Sequence, residues 1–592
     1  MTQFLNYNHN ICIDFGTSNT VVSYSIDNNI LQLNDEISGD TLIPTVIYFL
    51  PEKITSNLKV SDLIYSEHYW IGTTGTDLYT GSTSNNNSKN YFYQFKRFLG
   101  ITSKSVNQHK DFLNKFNLEY TTDSDTIFFY LTCSDNPELK IKISIIDLIK
   151  LFFQALNQMI KLKLNIIGQI NCVITCPAYF HDLQRTQLKK ASEDAGFIVN
   201  KIYNEPTAAA IYYIQKFKKP SELSNSNHFI IYDLGGGTID TTVVEFHESA
   251  NTCEVIDIDG NNSLGGIDID NLLIFDIYTK YSIDSTNLKW KHKIRKIAEE
   301  IKIKLTYQPT HTVYLESVPI KKSNLNQIEL VENLKITYSR IQFNNLISNI
   351  IDQMVIPIFN MFNKYSTFNI IFIGGPTQIP LLQNKVKSYI QSKTDNNLNN
   401  SNNLNNSNNS NNSNTLTTSE ELGPNSVNLY KTIVSQGGSL LSKLISEKKD
   451  FYLLDIIPMN IGISGNNDLM IVMIEKNAKI PLAVEKTFTT SHDCQRAIDI
   501  EIFEGTNNNC TSNTFIGSYK IVGIPPLPKG MILIKLLFKI SYNGILNISI
   551  NGFKNPSDNS AKSFDFKMCE NIRLISNMMA KDILKKLLQG KK

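Results

Sequence analysis

The sequence predicts a multidomain α/β plus β architecture: two duplicated α/β lobes, then a compact β-sandwich and a short C-terminal helix. Three observations carry that expectation. At 592 residues the chain exceeds what one core holds, at roughly 100–200 residues per domain. A strand–Asp–Gly/Thr turn–strand pattern occurs twice, far apart in the chain. From Ile456 the texture changes to short strands separated by turn signals.

The first copy of the pattern is Ile11-Cys12-Ile13-Asp14-Phe15-Gly16-Thr17, followed by Ser18-Asn19-Thr20 and a β-rich run over 21–24. The second is Phe229-Ile230-Ile231-Tyr232-Asp233-Leu234-Gly235-Gly236-Gly237-Thr238, followed by Ile239-Asp240 and 241–246. Two such hairpins imply duplicated lobes, each offering a loop to one cleft. Between them, 167–176 reads as a buried strand ending at Pro177. The segment 182–195, with Leu183, Leu188 and Ala191 apolar, reads as an amphipathic helix closed by Gly196. Asn204-Glu205-Pro206-Thr207 introduces an apolar helix over 208–217, and 288–305 reads as another helix. A third apolar strand, 369–373, ends at Gly374-Gly375-Pro376-Thr377.

The Asn/Ser/Thr tract at 394–419 has too little apolar surface to bury and is expected to be a disordered insertion in the second lobe. A helix over 427–446 precedes the short apolar segment Asp450-Phe451-Tyr452-Leu453-Leu454-Asp455. Strands are then expected at 469–474, 486–490, 497–503, 532–540 and 545–550. The turns between them include Glu504-Gly505, Pro525-Pro526 and Asn543-Gly544. The expected units are 10–447, a linker at 448–457, a β-sandwich at 458–553 and a remainder at 554–592 that supplies one helix at most, about 567–588.

Composition is that of ordinary folded protein, 41% hydrophobic and 19% charged, and a net charge of +2 gives no reason to expect nucleic acid or an acidic membrane as partner. The 8 cysteines contain no C-x-x-C pair; Cys172 and Cys176, four apart on one strand, read as reduced core thiols. The N-terminal residues carry no basic-then-apolar signal, and no apolar run reaches the roughly 18 residues of a membrane span. A cytoplasmic protein is expected.

A phosphate-transfer site needs backbone N–H donors, carboxylates for Mg²⁺ and a cation near the terminal phosphate. Gly16-Thr17-Ser18 and Gly235-Gly236-Gly237-Thr238 suit the first role, because glycine lets the backbone approach closely. Asp14 and Asp233, at the strand ends, suit the second, through water. No G-x-x-x-x-G-K-[ST] loop is present. Each turn read singly is compatible with being a turn and nothing more.

Taken together the motifs resemble the seventy-kilodalton heat-shock chaperone family. The matching blocks are Asp14-Phe15-Gly16-Thr17, Pro177-Ala178-Tyr179-Phe180, Asn204-Glu205-Pro206-Thr207-Ala208-Ala209-Ala210, Asp233 to Asp240 and Leu264-Gly265-Gly266, in that family's order. The likeness continues through Phe488-Thr489-Thr490, Gly523-Ile524-Pro525-Pro526 and Asn543-Gly544-Ile545-Leu546-Asn547, and spans about 10–553. The resemblance implies a two-lobed ATPase of the actin/sugar-kinase fold, followed by a peptide-binding β-module.

By motif position, Lys96 in Phe95-Lys96-Arg97 resembles the family's catalytic lysine, and Thr17 and Thr238 its phosphate contacts. Glu205 and Asp233, alongside Asp14 and Asp240, would act through Mg²⁺-bound or nucleophilic water. Away from that context, the better reading of Lys96-Arg97 is a solvated helix face and of Glu205 a helix cap; their place in the matched blocks reverses it. Glu299, Lys302, Ile303 and Thr306 fall where family members hold ribose and adenine, and Gly374-Gly375 would pass near the base and α-phosphate. ATP or ADP with Mg²⁺ is therefore the expected ligand, K⁺ being a further candidate ion. The family usually has Ser and Arg where this chain has Pro376 and Gln378; losing an Arg over the adenine removes about 1 kcal/mol of cation–π contact.

Pro177 and Arg185 resemble a proline switch and its relay arginine, and Leu453, Leu454 and Asp455 the end of an apolar linker that docks in the ATP state. Phe488, Ile498, Ile500 and Ile545 correspond to a peptide channel, although each is equally suited to plain sandwich core. Asn466 and Ser491 stand at the two arch positions that are apolar in typical members. About forty residues follow the β-module, where typical members carry a helical lid of well over a hundred, so peptide release should be fast.

The resemblance implies an ATP-hydrolysing chaperone for unfolded or extended polypeptide segments, with a J-domain stimulator and a nucleotide exchange factor as partners. Lys201 stands where an Arg often meets the J-domain. The alternative is a specialised holdase or exchange-factor-like relative that binds ATP with little hydrolysis. A small-molecule kinase of the same superfamily would have no use for the linker and β-module.

Overall fold

The computed structural model describes residues 9–554 and the strands Ser563–Phe564 and Lys567–Cys569, apart from 27–28, 82–89, 115–117, 124–125, 137, 218–227, 248–251, 287, 322–327, 366–368, 402–414, 418–428 and 448–451.

Each lobe is built on a mixed sheet whose centre is one of the two repeated hairpins. In the first lobe, Ile11–Phe15 pairs antiparallel with Asn19–Ile26 and parallel with Ile170–Cys176, which pairs parallel with Phe197–Asn204. In the second, His228–Leu234 pairs antiparallel with Ile239–His247 and parallel with Asn369–Ile373. These strands are almost continuously apolar because helices cover both faces of the sheets. Parallel pairing places the strand ends that carry Asp14 and Asp233 beside the ends of Cys176 and Ile373, so the turns after them open on one side.

Two helices, Glu205–Phe217 and Leu429–Ser446, lie between the lobes. Their apolar faces join Cys12 and Val173 of one sheet to Phe229, Ile231 and Ile371 of the other in a single core. The helix Ile145–Leu164 closes the outside of the first lobe, started by a Ser144/Asp147 capping box. Phe152 and Phe153 from it pack on Phe15, with ring centroids at 5.7 and 5.3 Å. Cys172 and Cys176 are buried free thiols.

Tyr452–Ile456, the described part of the expected linker, is a strand of the second lobe's sheet. It pairs parallel with Thr252–Asn261, Cys253 against Leu453 and Glu254 against Leu454, and antiparallel with Lys479–Ile480. Phe451 lies outside the described residues. Beyond it, two antiparallel sheets enclose one apolar core. Ile532–Ile540 shows the half-buried alternation directly: Ile532, Ile534, Leu536, Phe538 and Ile540 are all buried.

Three expectations meet a different structure. The helix Pro380–Ser401 runs into the Asn-rich tract, and Thr415–Thr417 is an edge strand on Asn369–Ile373; the rest of 394–419 lies outside the described residues. A helix already formed over its apolar first turns propagates into polar sequence at little cost per residue. Lys567–Cys569, placed in a helix by pattern, pairs as a strand with Thr514–Val522; 570–592 lies outside the described residues. The strand Thr514–Val522 was not anticipated, because Gly517, Ser518 and Lys520 interrupt its apolar pattern. Among the described residues no helix is long and apolar enough to cross a membrane.

Candidate nucleotide site and its connection to the linker

The two hairpin turns and the helix ends around them enclose a cavity of about 330 Å³ between the lobes. Asp14, Gly16, Thr17 and Ser18 line it from the first lobe, with Lys96 and Glu205. Asp233, Gly235, Gly236, Thr238, Gly374 and Gly375 line it from the second, and Glu299, Lys302, Ile303 and Thr306 from the helix Leu288–Tyr307. Gly237 and Asp240 stand just behind: a Cβ on Gly237 would lie 3.0 Å from the Thr17 side chain, and Asp240 Oδ1 accepts from the Tyr179 N–H at 2.9 Å.

Backbone shape here demands glycine at two places. Gly374 turns at φ +83°, and a Cβ there would fall 2.0 Å from the Leu234 carbonyl oxygen. A Cβ on Gly265 would lie 2.6 Å from the carbonyl carbon and oxygen of Gly236, so that turn approaches the second phosphate-loop candidate more closely than a side chain allows.

Four carboxylates surround one ammonium group. Lys96, 2% exposed, donates to Glu205 Oε1 at 3.0 Å and lies over the rings of Phe15 and Phe180, at 5.9 and 5.2 Å from their centroids. Burial works to lower the Lys96 pKa, but the charges of Glu205 and Asp14 outweigh it and the net shift is upward. Asp14 is raised to about 7 by burial and then by Glu205, against Lys96 and a hydrogen bond from Thr175 Oγ1 at 2.9 Å. Asp240 is likewise raised to about 7, by burial and then Glu205. Asp233 is pushed well above the ordinary carboxylate range by burial and by Glu205, Asp240 and Asp14. Among the described residues no group of three His, Cys, Asp or Glu side chains is placed to hold a metal ion directly.

Two of the remaining polar side chains of the cavity, Lys302 and Thr306, point to protein partners. Lys302 forms a buried 2.8 Å ion pair with Asp270, which pattern did not reveal. Thr306 Oγ1 donates to its own helix at the Lys302 carbonyl, 3.0 Å away. Ile303 is half exposed, and Gln378 Nε2 lies 3.4 Å from Thr377 Oγ1. Tyr307, Pro376 and Tyr430 also line the cavity, and reading the sequence placed neither tyrosine there, since an aromatic residue in a helix reads as core.

Behind Glu205 a hydrogen-bonded chain leads to the linker. Buried Arg185 donates to the carbonyls of Phe180, Ala178 and Pro177 at 3.0, 3.0 and 3.4 Å, and to Asn204 Oδ1 at 2.7 Å. Asn204 Nδ2 donates in turn to Asp455 Oδ2 at 2.8 Å. Burial raises the Asp455 pKa, with Arg185 and Lys201 opposing it. Leu453 packs on the interlobe core, and Leu454 pairs with Glu254. Pro177 and Arg185 thus connect through Asn204 to Asp455, while Leu453 and Leu454 hold the same strand to the second lobe's sheet.

A family model described as "Hsp70 protein" matches residues 72–404 and 425–573. The chain belongs to the Hsp70 family. It is 31% identical over 399 residues to "Chaperone protein DnaK" of Ureaplasma urealyticum serovar 10, covering 66% of this chain and 60% of that one. The corresponding protein of Thermotoga petrophila is 31% identical over 394 residues, 64% of this chain and 60% of its own. That of Cyanidium caldarium is 28% identical over 475 residues, 78% and 68% respectively. The chain spans about 60% of the length of the Ureaplasma and Thermotoga relatives.

In this Hsp70-family chain the β-module rests on the first lobe through contacts that no motif announced. Asp182 Oδ1 accepts from the Leu546 N–H at 2.6 Å, and the Asp182 N–H donates to Glu504 Oε2 at 3.1 Å. The Ile202 N–H donates to Asn543 Oδ1 at 3.2 Å. Lys104 pairs with Glu501 and lies 3.9 Å from the Phe515 ring centroid. Of the expected channel residues, Ile500 is buried in the sandwich core, while Phe488 and Ile498 are half-buried against it. Ile545 is half-buried in the Ser541–Ile545 turn, where its N–H donates to Ser541 Oγ at 3.2 Å. Asn466 and Ser491 are exposed and held in separate turns: the Asn466 carbonyl accepts from Leu469, and the Ser491 N–H donates to Gln495.

Proposed function

We propose that this chain is an ATP-hydrolysing chaperone that binds extended apolar polypeptide segments and couples nucleotide state to their capture and release. One observation carries the coupling: Glu205 and Asn204 are neighbours in sequence, one on the nucleotide cavity and the other bonded to Asp455 of the docked linker. A displacement of Glu205 on hydrolysis therefore reaches the strand that ties the β-module down.

The surplus of buried carboxylate over Lys96 fits a divalent cation, and Asp14 and Asp233 would meet Mg²⁺ through water. Bound Mg²⁺ neutralises charge on the phosphates. In this reading Thr17, Ser18, Thr238 and the glycine turns hold the phosphates; Lys96 Nζ, anchored by Glu205 Oε1, orients the attacking water; Asp240 braces Tyr179 and the turn after Pro177. Phe488, Ile498, Ile500 and Ile545 are the proposed peptide contacts, and the exposed Asn466 and Ser491 leave the channel open at its rim. A J-domain stimulator and a nucleotide exchange factor would be its partners.

Single-turnover ATP hydrolysis, with and without an apolar peptide, tests the proposal. Slow hydrolysis accelerated by peptide is expected. ATP binding with no hydrolysis, or hydrolysis indifferent to peptide, would sink the coupled cycle and leave a holdase or exchange-factor role.

The lobes also touch through rings. His292 of the second lobe packs edge-on against Tyr79 and Tyr91 of the first at 5.1 and 5.0 Å, and Arg295 donates to Tyr93 Oη at 3.0 Å. Tyr79→Ala is expected to speed release of bound ADP about tenfold in stopped-flow chase, the equivalent of roughly 1.4 kcal/mol of aromatic contact. An unchanged release rate would show that the ring contacts do not hold the cleft shut.

A further inference from the structure

The lining of the nucleotide cavity divides into two chemistries. Around Asp14, Lys96, Glu205 and Asp233 it is charged, whereas around Ile303, Tyr307, Pro376 and Tyr430 it is apolar and aromatic. The tyrosines come from different helices: Tyr307 ends Leu288–Tyr307, and Tyr430 is the second residue of Leu429–Ser446. Their hydroxyls lie 3.3 Å apart. Tyr430 is 6% exposed and its carbonyl accepts from the Gly374 N–H at 3.1 Å, which fixes it to the glycine turn; Tyr307 is 58% exposed.

Of the polar groups beside this surface, Lys302, Thr306 and Thr377 are turned inward, while Glu299 is exposed and Lys431 half-buried on the lining. Lys302 donates to Asp270 at 2.8 Å and to the Gly266 carbonyl at 3.3 Å. Thr306 Oγ1 donates to the Lys302 carbonyl, and Thr377 Oγ1 to the Gly374 carbonyl at 2.7 Å. The buried surface the site offers a base is therefore aromatic and apolar, and its remaining charged groups, Glu299 and Lys431, are solvated.

We infer that Tyr307 and Tyr430 are the base-recognising pair of this cavity, and that they take a purine by its ring face with little discrimination between adenine and guanine. The inference rests on the nucleotide-binding reading above and concerns which groups select the nucleotide. Stacking uses a π-face that every base has, and the larger purine ring covers more of it. Rejection of one purine in favour of the other needs buried donors and acceptors aimed at the edge substituents, left unpaired by the wrong base.

The test is isothermal titration of the full chain with ADP, GDP, CDP and inorganic tripolyphosphate, on wild type, Tyr307→Ala and Tyr430→Phe. Wild type is expected to bind ADP and GDP within about fivefold of each other and CDP about tenfold more weakly. Tyr307→Ala should lose about tenfold for both purine nucleotides and leave tripolyphosphate unchanged. Tyr430→Phe keeps the ring face and removes the hydroxyl, so a loss of ADP affinity beyond about tenfold in it would show that the hydroxyl and not the face is read, and would overturn the inference. Wild type binding ADP a hundredfold or more tighter than GDP overturns the inference. So does tripolyphosphate binding together with an ADP affinity that Tyr307→Ala leaves intact. If neither tripolyphosphate nor any nucleotide binds wild type, the nucleotide reading itself falls and takes the inference with it.

Discussion

Replacing Lys96 by Ala is expected to slow single-turnover ATP hydrolysis by about 10²–10³ while ADP still binds. The reason lies in position and charge. Its ammonium group sits on the cavity wall among Asp14, Glu205 and Asp233, held by Glu205 Oε1 at 3.0 Å and walled by the Phe15 and Phe180 rings. Such a group costs no reorganisation when charge develops on a nearby oxygen, and in a water-poor cavity its effect is larger than in solvent. Removing it also leaves the Glu205 carboxylate without its partner, so loss of fold must be separated from loss of chemistry. Lys96→Met keeps most of the side-chain volume but leaves Glu205 equally unpaired, so its thermal midpoint should lie between those of Lys96→Ala and wild type. Below both midpoints ADP should still bind and hydrolysis should fall as far as in Lys96→Ala. Hydrolysis within a factor of about three of wild type in both variants would remove Lys96 from the chemistry.

The second large effect is on pH. Docking of the β-module onto the first lobe is expected to weaken as pH rises, with at least a tenfold loss in the docking equilibrium between about pH 6 and 8.5. Glu504 is 3% exposed and reaches the Asp182 N–H, beside the Asp182 carboxylate and Arg185. Burial pushes its carboxyl up from 4.5 to about 8; the bond from Asp182 N–H and the Arg185 charge oppose this, and the Asp182 charge adds to it. A pKa raised in the docked state means that docking takes up a proton. The favourable contribution is therefore complete below the ordinary glutamate pKa and is lost as pH rises through about 8. Fluorescence energy transfer between labels on the first lobe and the β-module reads this directly. Glu504→Gln, neutral at every pH, should dock with a flat profile. A flat wild-type profile would show that burial within the β-module, present whether or not it is docked, holds the proton.

The nucleotide cavity was partly legible in the sequence. The glycine turns, Asp14 and Asp233 are local features: a strand, an acidic residue and a tight turn lie within ten residues of one another, and their meaning does not depend on what packs against them. Lys96 and Glu205 were legible only through resemblance, because each by itself reads as a solvated or capping residue. Lys302, expected on the adenosine side, lines the cavity and also pairs with Asp270, 32 residues earlier, a partner that no local pattern announced. Tyr307 and Tyr430 lie 123 residues apart and meet at one cavity wall. Nothing in either segment foretells the other.

Local pattern determined where the duplicated hairpins lie, which strands are buried on both faces, where the chain turns from α/β to β, and which loops could cradle phosphate, since each of these follows from the periodicity and stereochemistry of a short stretch. Tertiary structure alone decided that Tyr452–Ile456 is a strand of the second lobe's sheet and that Asp182 meets Glu504 and Leu546. It alone decided, too, that 567–569 pairs as an edge strand. Those outcomes depend on backbone groups left unpaired at a sheet edge or a helix start and on what distant chain arrives to satisfy them. A buried N–H or carboxylate must find a partner, and the identity of that partner is a property of the packed molecule.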